Sequence, residues 1–428
     1  MLVSVALLSS CGGHSSSTEL TPDPGYLYPM GSVSSDDMVF VDIRTGEELP
    51  GQFAAAHMFF DGLALVQDKA TKLYGYVDPT GQYVIKPQYV SATAFAKGVA
   101  IAALPDSGLA CIDHNGDEVF RLPEVEWMTM FFRESAAVGQ KTTGEVCIID
   151  RKGNISVTLD EGQALVSISY KNGVGLKDRS GKCGVIDWDG KLLIPYQYDG
   201  ITLTEGDCAI YQSGGKYGLV SLENEILTGA DFDEITEFDE DRLQFKQNGK
   251  RGIMDMEGKQ LVPAQFDRFV VDGDWYVVKQ GKLYGWCDAK GEVVINPQFD
   301  EVQLFGDASL AAVRTGKSWG YIDKKGKFAI NPQFSAAGYF CDGLAPAARS
   351  EDLEMGYIDE DGKFVIEPQF DAASSFGDGI ALVSKDRKIG FIDEDGTYVI
   401  NPQFSDARST KELRLWLDDQ SDIRRRYI

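Results

Sequence analysis

The sequence predicts an all-β fold built as a tandem array of about eleven three-stranded β-meanders, each of roughly 35 residues. Three observations predict it. A Gly-Tyr-Ile-Asp motif recurs at intervals of 33 to 37 residues, a glycine follows most of its Asp residues by three positions, and an Asn-Pro-Gln-Phe segment comes next. A fixed period of this length is typical of repeat proteins, in which each unit buries its faces against its neighbours.

The first motif marks one strand of each repeat. It is clearest at Gly320-Tyr321-Ile322-Asp323, and eroded copies end at Asp113, Asp150 and Ser221, with a first copy ending at Asp42. Its other forms are Gly75-Tyr76-Val77-Asp78, Gly184-Val185-Ile186-Asp187, Gly252-Ile253-Met254-Asp255, Gly285-Trp286-Cys287-Asp288, Gly356-Tyr357-Ile358-Asp359 and Gly390-Phe391-Ile392-Asp393. Together the copies cover about residues 38 to 408.

A tight turn follows this strand. The third position after the Asp is occupied by nine glycines and one asparagine: Gly81, Gly116, Gly153, Gly190, Asn224, Gly258, Gly291, Gly326, Gly362 and Gly396. Gly and Asn are the residues that best tolerate a positive φ, so the position predicts a left-handed residue that closes a hairpin loop. The preceding Asp can accept hydrogen bonds from the amides of the turn.

The Asn-Pro-Gln-Phe segment predicts the end of the second strand, because proline cannot donate to a β-ladder. A loop then leads to Phe340-Cys341-Asp342-Gly343 or Phe376-Gly377-Asp378-Gly379, after which a third strand begins. Eleven units exceed the usual blade number of a closed propeller, and three strands fall short of its usual four. We therefore favour an open superhelical array, with a β-propeller as the alternative.

The N-terminus predicts export. Residues 1–10 contain a short apolar run, and Leu8-Ser9-Ser10-Cys11 resembles the lipobox of bacterial lipoproteins, in which the cysteine is acylated. No Lys or Arg precedes the run, so residues 1–10 are interpreted as a signal peptide with a truncated basic region. Residues 11–37 then form a polar tether, and residues 409–428 a C-terminal cap.

The formal net charge of −25 argues against nucleic-acid binding and against docking on anionic lipid through the protein surface. We expect contact with the membrane through the N-terminal lipid alone. The 43% content of hydrophobic residues is that of a globular protein.

Motifs that could carry chemistry each have a simpler explanation. Residues 311–318 are a relaxed match to a phosphate-binding loop, but a strand follows at once where a helix is required. Asp393-Glu394-Asp395-Gly396 resembles the start of a calcium loop but lacks the later ligands. His14, His57 and His114 have no partner at a metal-ligand spacing. We predict no catalytic residues, no metal site and no cofactor.

Six cysteines follow Cys11, at positions 111, 147, 183, 208, 287 and 341. An even number in an exported chain is compatible with disulfides, but their positions drift relative to the repeat. We interpret them as small core residues, and one disulfide remains an alternative.

The segment Lys317-Ser318-Trp319-Gly320-Tyr321-Ile322-Asp323, with the Asn-Pro-Gln-Phe and Phe-x-Asp-Gly segments, resembles the bacterial WG (KWG) repeat. The resemblance covers roughly 370 residues. Only Trp319 supplies the Trp, with Tyr74, Tyr217 and Tyr284 in its place elsewhere. The resemblance implies a β-repeat protein, often exported, with no general activity or ligand.

These observations predict a non-catalytic, lipid-anchored protein of the bacterial cell envelope. We expect a monomeric scaffold that binds a protein or glycan partner along the array, with the ligand-binding residues unassigned. An envelope hydrolase or other ligand-processing enzyme, and a purely structural spacer, are the alternatives.

Overall fold

The structure is a computed structural model that describes residues 24–32, 37–105, 108–129, 136–141, 143–169, 171–239, 241–349 and 354–405. Cys11, most of the predicted tether and the predicted cap at 409–428 lie outside the described residues. The described residues form one short 3-10 turn, Pro24–Tyr26, and 41 β-strands, with no α-helix among them. The all-β prediction is therefore confirmed.

The strands are short and evenly distributed along the chain. The first ten are β1 (Leu27–Ser32), β2 (Met38–Asp42), β3 (Ala55–Phe60), β4 (Leu63–Gln67), β5 (Tyr74–Val77), β6 (Tyr83–Tyr89), β7 (Ser91–Ala92), β8 (Val99–Ala103), β9 (Leu109–Asp113) and β10 (Glu118–Leu122). The next fifteen are β11 (Val125–Met128), β12 (Ala136–Lys141), β13 (Val146–Asp150), β14 (Ile155–Thr158), β15 (Ala164–Ser169), β16 (Gly173–Lys177), β17 (Cys183–Ile186), β18 (Leu192–Tyr198), β19 (Gly200–Leu203), β20 (Cys208–Ser213), β21 (Lys216–Ser221), β22 (Glu234–Glu237), β23 (Arg242–Gln247), β24 (Lys250–Asp255) and β25 (Gln260–Phe266).

The last sixteen strands are β26 (Arg268–Asp272), β27 (Trp275–Gln280), β28 (Leu283–Asp288), β29 (Val293–Phe299), β30 (Glu301–Val302), β31 (Leu310–Thr315), β32 (Ser318–Asp323), β33 (Phe328–Phe334), β34 (Ala336–Ala337), β35 (Ala345–Ala348), β36 (Met355–Ile358), β37 (Phe364–Phe370), β38 (Ala372–Ala373), β39 (Ile380–Lys385), β40 (Lys388–Asp393) and β41 (Tyr398–Ser405).

Most sheets correspond to one repeat of the sequence. Most sheets have four antiparallel strands that follow one another along the chain, as in β34-β35-β36-β37. The sheet β19-β20-β21 has three strands, and the first and last copies share a six-stranded sheet with the order β2-β1-β41-β40-β39-β38. The tandem β-repeat array is thus present as predicted.

The prediction of three strands per unit was wrong for most units, because the segment after Asn-Pro-Gln-Phe forms a short additional strand. In β30, β34 and β38 this strand is two residues long. The amide of Asp300 donates to the carbonyl of Arg314 at 2.9 Å directly after Phe299, which starts the pairing of β30 with β31. Two residues are too few to show an alternating pattern in the sequence.

The predicted turn is confirmed in detail. The residue three positions after the Asp has positive φ, +75° at Gly326 and +66° at Asn224. Asp323 Oδ1 accepts from the amides of Lys325 and Lys327, both at 2.9 Å. Hydrogen bonds from these amides, the Lys327 amide foremost, hold the pKa of Asp323 below its ordinary value.

The prediction that proline ends the second strand was wrong. Strand β33 continues through Pro332 to Phe334, but its register against β32 shifts between Trp319 and Tyr321. Asn331, Pro332 and Gln333 therefore lie opposite Gly320 alone, as a bulge. A bulge tolerates proline because the bulged residues leave the regular ladder.

The core lies between neighbouring copies, as predicted. The described strands fall in two compact units: one holds the described residues up to 98, residues 114–116 and the described residues from 298 to 405, and the other holds those within 99–113 and 117–297. In the first unit, Tyr321 and Phe334 of one copy pack with Phe340 and Ile358 of the next. In the second, Ile210 and Leu219 pack in the same way with residues of the following copy, such as Phe245.

Part of the predicted tether belongs to the fold. Residues 27–32 form β1, which pairs with β2 from Leu27 opposite Asp42 to Gly31 opposite Met38. On its other edge, Gly31 lies opposite Ser405 and Ser32 opposite Phe404 of β41. The boundary that we placed at residue 37 is therefore too late, and the first and last copies are neighbours in one sheet.

Candidate functional site

The Lys of the repeated Lys-Trp-Gly segment forms an ion pair with the Asp that follows the last strand of its sheet. Lys250 Nζ lies 2.6 Å from Oδ1 of Asp267, the residue after Phe266, and Oδ2 of Asp267 accepts from the amide of Gly281 at 2.6 Å. The hydrogen bond from Lys250 is the main cause that lowers the pKa of Asp267, and the Gly281 amide adds to it.

The same clamp recurs one and two copies earlier. Lys182 pairs with Asp199 at 2.8 Å and Lys216 pairs with Asp233. Asp199 also accepts from the Gly214 amide at 2.9 Å. Each clamp joins the end of one strand to the tip of the next hairpin, so these Lys and Asp residues serve the fold.

The Trp position is also used for packing. Trp319 is half-buried and packs against the cluster of Tyr321, Phe334 and Phe340. At the equivalent Tyr284, the ammonium of Lys279 lies 4.9 Å from the ring centroid. Neither ring is free to serve as an isolated binding platform.

The Tyr of Gly-Tyr-Ile-Asp is buried and tied to the next loop. The hydroxyls of Tyr76, Tyr321 and Tyr357 donate to the carbonyls of residues 93, 338 and 374 at 2.7 to 2.8 Å, in each case 17 residues later. Burial raises the pKa of all three phenols, so they stay protonated donors.

Trp286 holds the same position in its copy and donates from Nε1 to Asp272 Oδ2 at 2.7 Å. The indole, like the three hydroxyls, therefore donates to a buried acceptor.

The relaxed phosphate-loop match at 311–318 is a hairpin tip, as interpreted from the sequence. Strand β31 ends at Thr315, Gly316 has φ +65°, and β32 begins at Ser318. Arg314 is engaged with Glu301 at 2.6 Å and with the carbonyl of Gly316 at 2.7 Å. The segment offers no helix start for a phosphate.

The acidic turns are occupied by their own backbone. Oδ1 of Asp393 accepts from the amides of Asp395 and Thr397 at 3.1 and 2.8 Å. No group of three or more His, Cys, Asp or Glu side chains within the described ranges has the geometry of a metal site.

The cysteines have the environment of small core residues. Cys111, Cys147, Cys183, Cys208 and Cys287 are buried, Cys341 is half-buried, and all six are free thiols. Burial raises the pKa of Cys111 to about 11 and that of Cys287 to about 12, which suppresses the reactive thiolate.

The two histidines in the described segments lie on the surface of separate copies. His114 stacks on Phe95 with centroids 4.6 Å apart, and its Nε2 lies 2.9 Å from the carbonyl of Asp61. His57 is in β3, and partial burial lowers its pKa. His114 Nε2 also lies 3.5 Å from Asp61 Oδ2.

One repeated position leaves an apolar side chain exposed in four copies. On the strand after the turn, the residue three positions beyond the turn glycine is an exposed valine in four copies: Val84, Val119, Val294 and Val365. We call these four residues the outer row, a name for their shared motif position; their exposed fractions are 42, 50, 42 and 53%. Val84 and Val365 lie in the first compact unit, and Val119 and Val294 lie in the second. The residue before each one is also apolar or aromatic in three copies, and Tyr83 packs edge-on against Phe53.

The outer row was missed at the sequence level, although its signal is present. In β29 and β33, both residues before the buried Ile295 and Ile330 are exposed. A β-branched side chain on the exposed face, at the same place in several copies, is the pattern that could have revealed it.

A family model described as "WG containing repeat" matches residues 74–103, 184–217, 217–250, 284–317, 319–348, 355–388 and 389–412, just over half of the chain. The protein belongs to the WG repeat family. The resemblance drawn from Lys317 to Asp323 is thereby confirmed. In this WG repeat protein, the Lys of three copies forms a clamp, and the aromatic residue and the Gly are packed within their sheets.

No curated protein matches the chain. Among solved structures, a computationally designed protein named Ika8 is 14% identical, with 63% of this chain and 93% of that chain covered and a TM-score of 0.29. A eukaryotic initiation factor is 10% identical, with 78% and 96% covered and a TM-score of 0.38. BamB from Moraxella catarrhalis is 11% identical, with 75% and 98% covered and a TM-score of 0.27. At these scores the likenesses carry no argument about function.

Proposed function

We propose that this WG repeat protein is a non-catalytic scaffold of the bacterial cell envelope that binds a protein or glycan partner through the outer row. The observation that carries the proposal is the contrast between two sets of repeated residues. The motif residues described above are engaged in clamps, bulges and packing, whereas each residue of the outer row has an exposed apolar side chain. Apolar side chains repeated on one kind of surface are typical of contact sites in repeat proteins.

The outer row is tested by binding. Val84→Asp and Val365→Asp place a charge at two positions that are already exposed, so we expect folding to be unchanged and capture of a partner from an envelope extract to fall. Val90→Asp is the matched control, because Val90 is 54% exposed and lies outside the row. Equal capture by all three variants would contradict the role of the row, and absence of any captured partner would favour the structural spacer.

Localisation in the envelope rests on Leu8-Ser9-Ser10-Cys11. No helix in the described part of the chain is long and apolar enough to cross a membrane. We expect Cys11→Ala to move the full chain from the membrane fraction to the soluble fraction, with fractionation followed by immunoblotting as the measurement. Unchanged partitioning of Cys11→Ala would contradict the lipid anchor and leave the outer-row proposal standing.

A further inference from the structure

The first and last copies meet at an apolar junction that no covalent connection crosses. Met30, Val39 and Val41 of the first copy pack against the last copy. The residues that they meet are Ile389, Phe391, Ile400 and Phe404, and all are 8% exposed or less. The Tyr26 hydroxyl also reaches Asp378 Oδ2 at 3.4 Å, across 352 positions of sequence.

This junction has the construction of an internal one. One copy earlier, Ile366 and Phe370 pack against Val383 and Ile392 of the following copy. Ile400 and Phe404 hold the same motif positions as Ile366 and Phe370, while Met30 and Val41 stand where Val383 and Ile392 stand. The first copy therefore occupies, against the last copy, the position that the next copy occupies at an internal junction.

The two junctions differ in how their partners are connected. Between the internal copies, the eight residues 372–379 lead directly from one partner to the other. The terminal copies are held by two backbone pairs, Gly31 with Ser405 and Ser32 with Phe404, and by the apolar contact. When this junction opens, both apolar faces and both strand edges become exposed at once.

We propose that the terminal junction is an exchange interface for a second copy of this chain. The first copy of one chain docks on the last copy of another, and the reciprocal contact closes a dimer. The incoming first copy is identical in sequence to the one that it replaces, so it presents the same apolar face and the same strand edge. Each exchanged junction restores the contacts of the terminal junction in the closed monomer, and the dimer has in addition the entropic cost of association.

Concentration decides between the two forms. In the closed monomer the partner copy belongs to the same chain, and its effective concentration is high. At low protein concentration each chain therefore closes on itself. When many chains refold together, the face formed by Ile400 and Phe404 meets the first copy of another chain often enough to capture it. The exchanged dimer then persists, because its release requires both junctions to open.

The test uses refolding of the full chain. The protein is unfolded in denaturant, refolded at low and at high concentration, and its mass is measured by sedimentation. We expect monomer at low concentration and a dimer fraction that rises at high concentration. Monomer alone at both concentrations would overturn the proposal.

A disulfide lock shows whether the dimer uses this junction. Gly31→Cys/Ser405→Cys places two cysteines directly opposite each other in β1 and β41, where antiparallel neighbours are close enough to be bridged. The protein is oxidised as the monomer and then refolded at high concentration. We expect the oxidised lock to give monomer, and the same variant with reductant to give dimer.

The matched control is Ala336→Cys/Ala348→Cys, which bridges β34 and β35 inside one sheet and leaves the terminal junction free. It should dimerise as the unmodified chain does. If the oxidised terminal lock dimerised as much as this control, association would occur elsewhere on the chain and the proposal would be wrong.

Discussion

At the residue scale, glycine is required at two positions of a copy, the turn and the strand before it, for different physical reasons. The turn glycine was predictable because its alternative, Asn224, signals positive φ, and the structure gives φ +78° at Gly362. The strand glycine was not explained by the sequence. At Gly356 a Cβ atom would lie 2.4 Å from the carbonyl oxygen of Ile366, on the bulge formed by Glu367, Pro368 and Gln369. The cause lies ten residues away and leaves no local pattern.

Gly356→Ala tests this explanation. Its φ is not in the left-handed region, so the backbone conformation itself accepts alanine, but the new methyl group meets backbone that cannot rotate away. We expect the free energy of unfolding to fall by about 1–3 kcal/mol, the range for overpacking. Chemical denaturation followed by circular dichroism is the measurement.

The control for that variant is Gly343→Ala, where φ is +79° and nothing lies within 4 Å of the added Cβ. It should lose about 1 kcal/mol from backbone strain alone. A harmless Gly356→Ala beside a damaging Gly343→Ala would mean that the bulge does not require glycine.

At the element scale, the hairpins and turns were predictable, whereas the contacts between elements were not. The Asp and Gly of each turn lie three residues apart and carry a local signature. The clamp from Lys250 to Asp267 spans 17 residues, and neither partner differs from an ordinary surface charge in sequence. The outer row lay in a correctly predicted strand, but its exposure depends on which face the neighbouring copy covers.

The clamp makes part of the stability dependent on pH. Because the folded-state pKa of Asp267 is lowered, its contribution is present above the unfolded pKa and is lost as the pH falls through the folded value. Asp267→Asn should therefore lower both the melting temperature and the free energy of unfolding at neutral pH. The loss of free energy should be less than about 1 kcal/mol, because the ion pair is exposed to solvent. The difference from the unmodified protein should disappear in strong acid.

Thermal melts of Asp267→Asn and of the unmodified protein, recorded from neutral to acidic pH, measure this difference in melting temperature. Asp274→Asn, on the exposed tip between β26 and β27, is the control for the loss of one negative charge. A deficit of Asp267→Asn that is the same at every pH would assign the effect to packing instead of charge.

At the scale of the whole molecule, the number of copies and the tandem order were predictable, whereas the junction of the two ends was not. The recurring motifs identify a first motif that ends at Asp42 and a last repeat that ends near residue 408. The motifs do not predict that β1 pairs with β41, because that pairing joins residues more than 370 positions apart. The count of three strands per copy, which favoured an open array, missed the short strands such as β38.

If the terminal junction is built as an internal one, the chain should tolerate a change of its starting point. In the proposed permutant, Ser405 is joined to Leu27 through a copy of residues 372–379, the segment that connects the corresponding positions one copy earlier. The new ends lie between Gly214 and Gly215, at the tip of the β20–β21 hairpin, where neither glycine has an atom within 4 Å of its Cβ position.

The permutant should melt at or above the temperature of the linear chain over residues 27–405, and it should stay monomeric when it refolds at high concentration. The junction that can exchange is then covalent, and the new ends are held by six residue pairs between β20 and β21 instead of the two pairs between β1 and β41. Exposed hairpin tips are also the sites where new termini are best accepted. Melting by circular dichroism and mass by sedimentation test both statements. A permutant that unfolds well below the linear control would mean that the first copy does not occupy the place of a next neighbour.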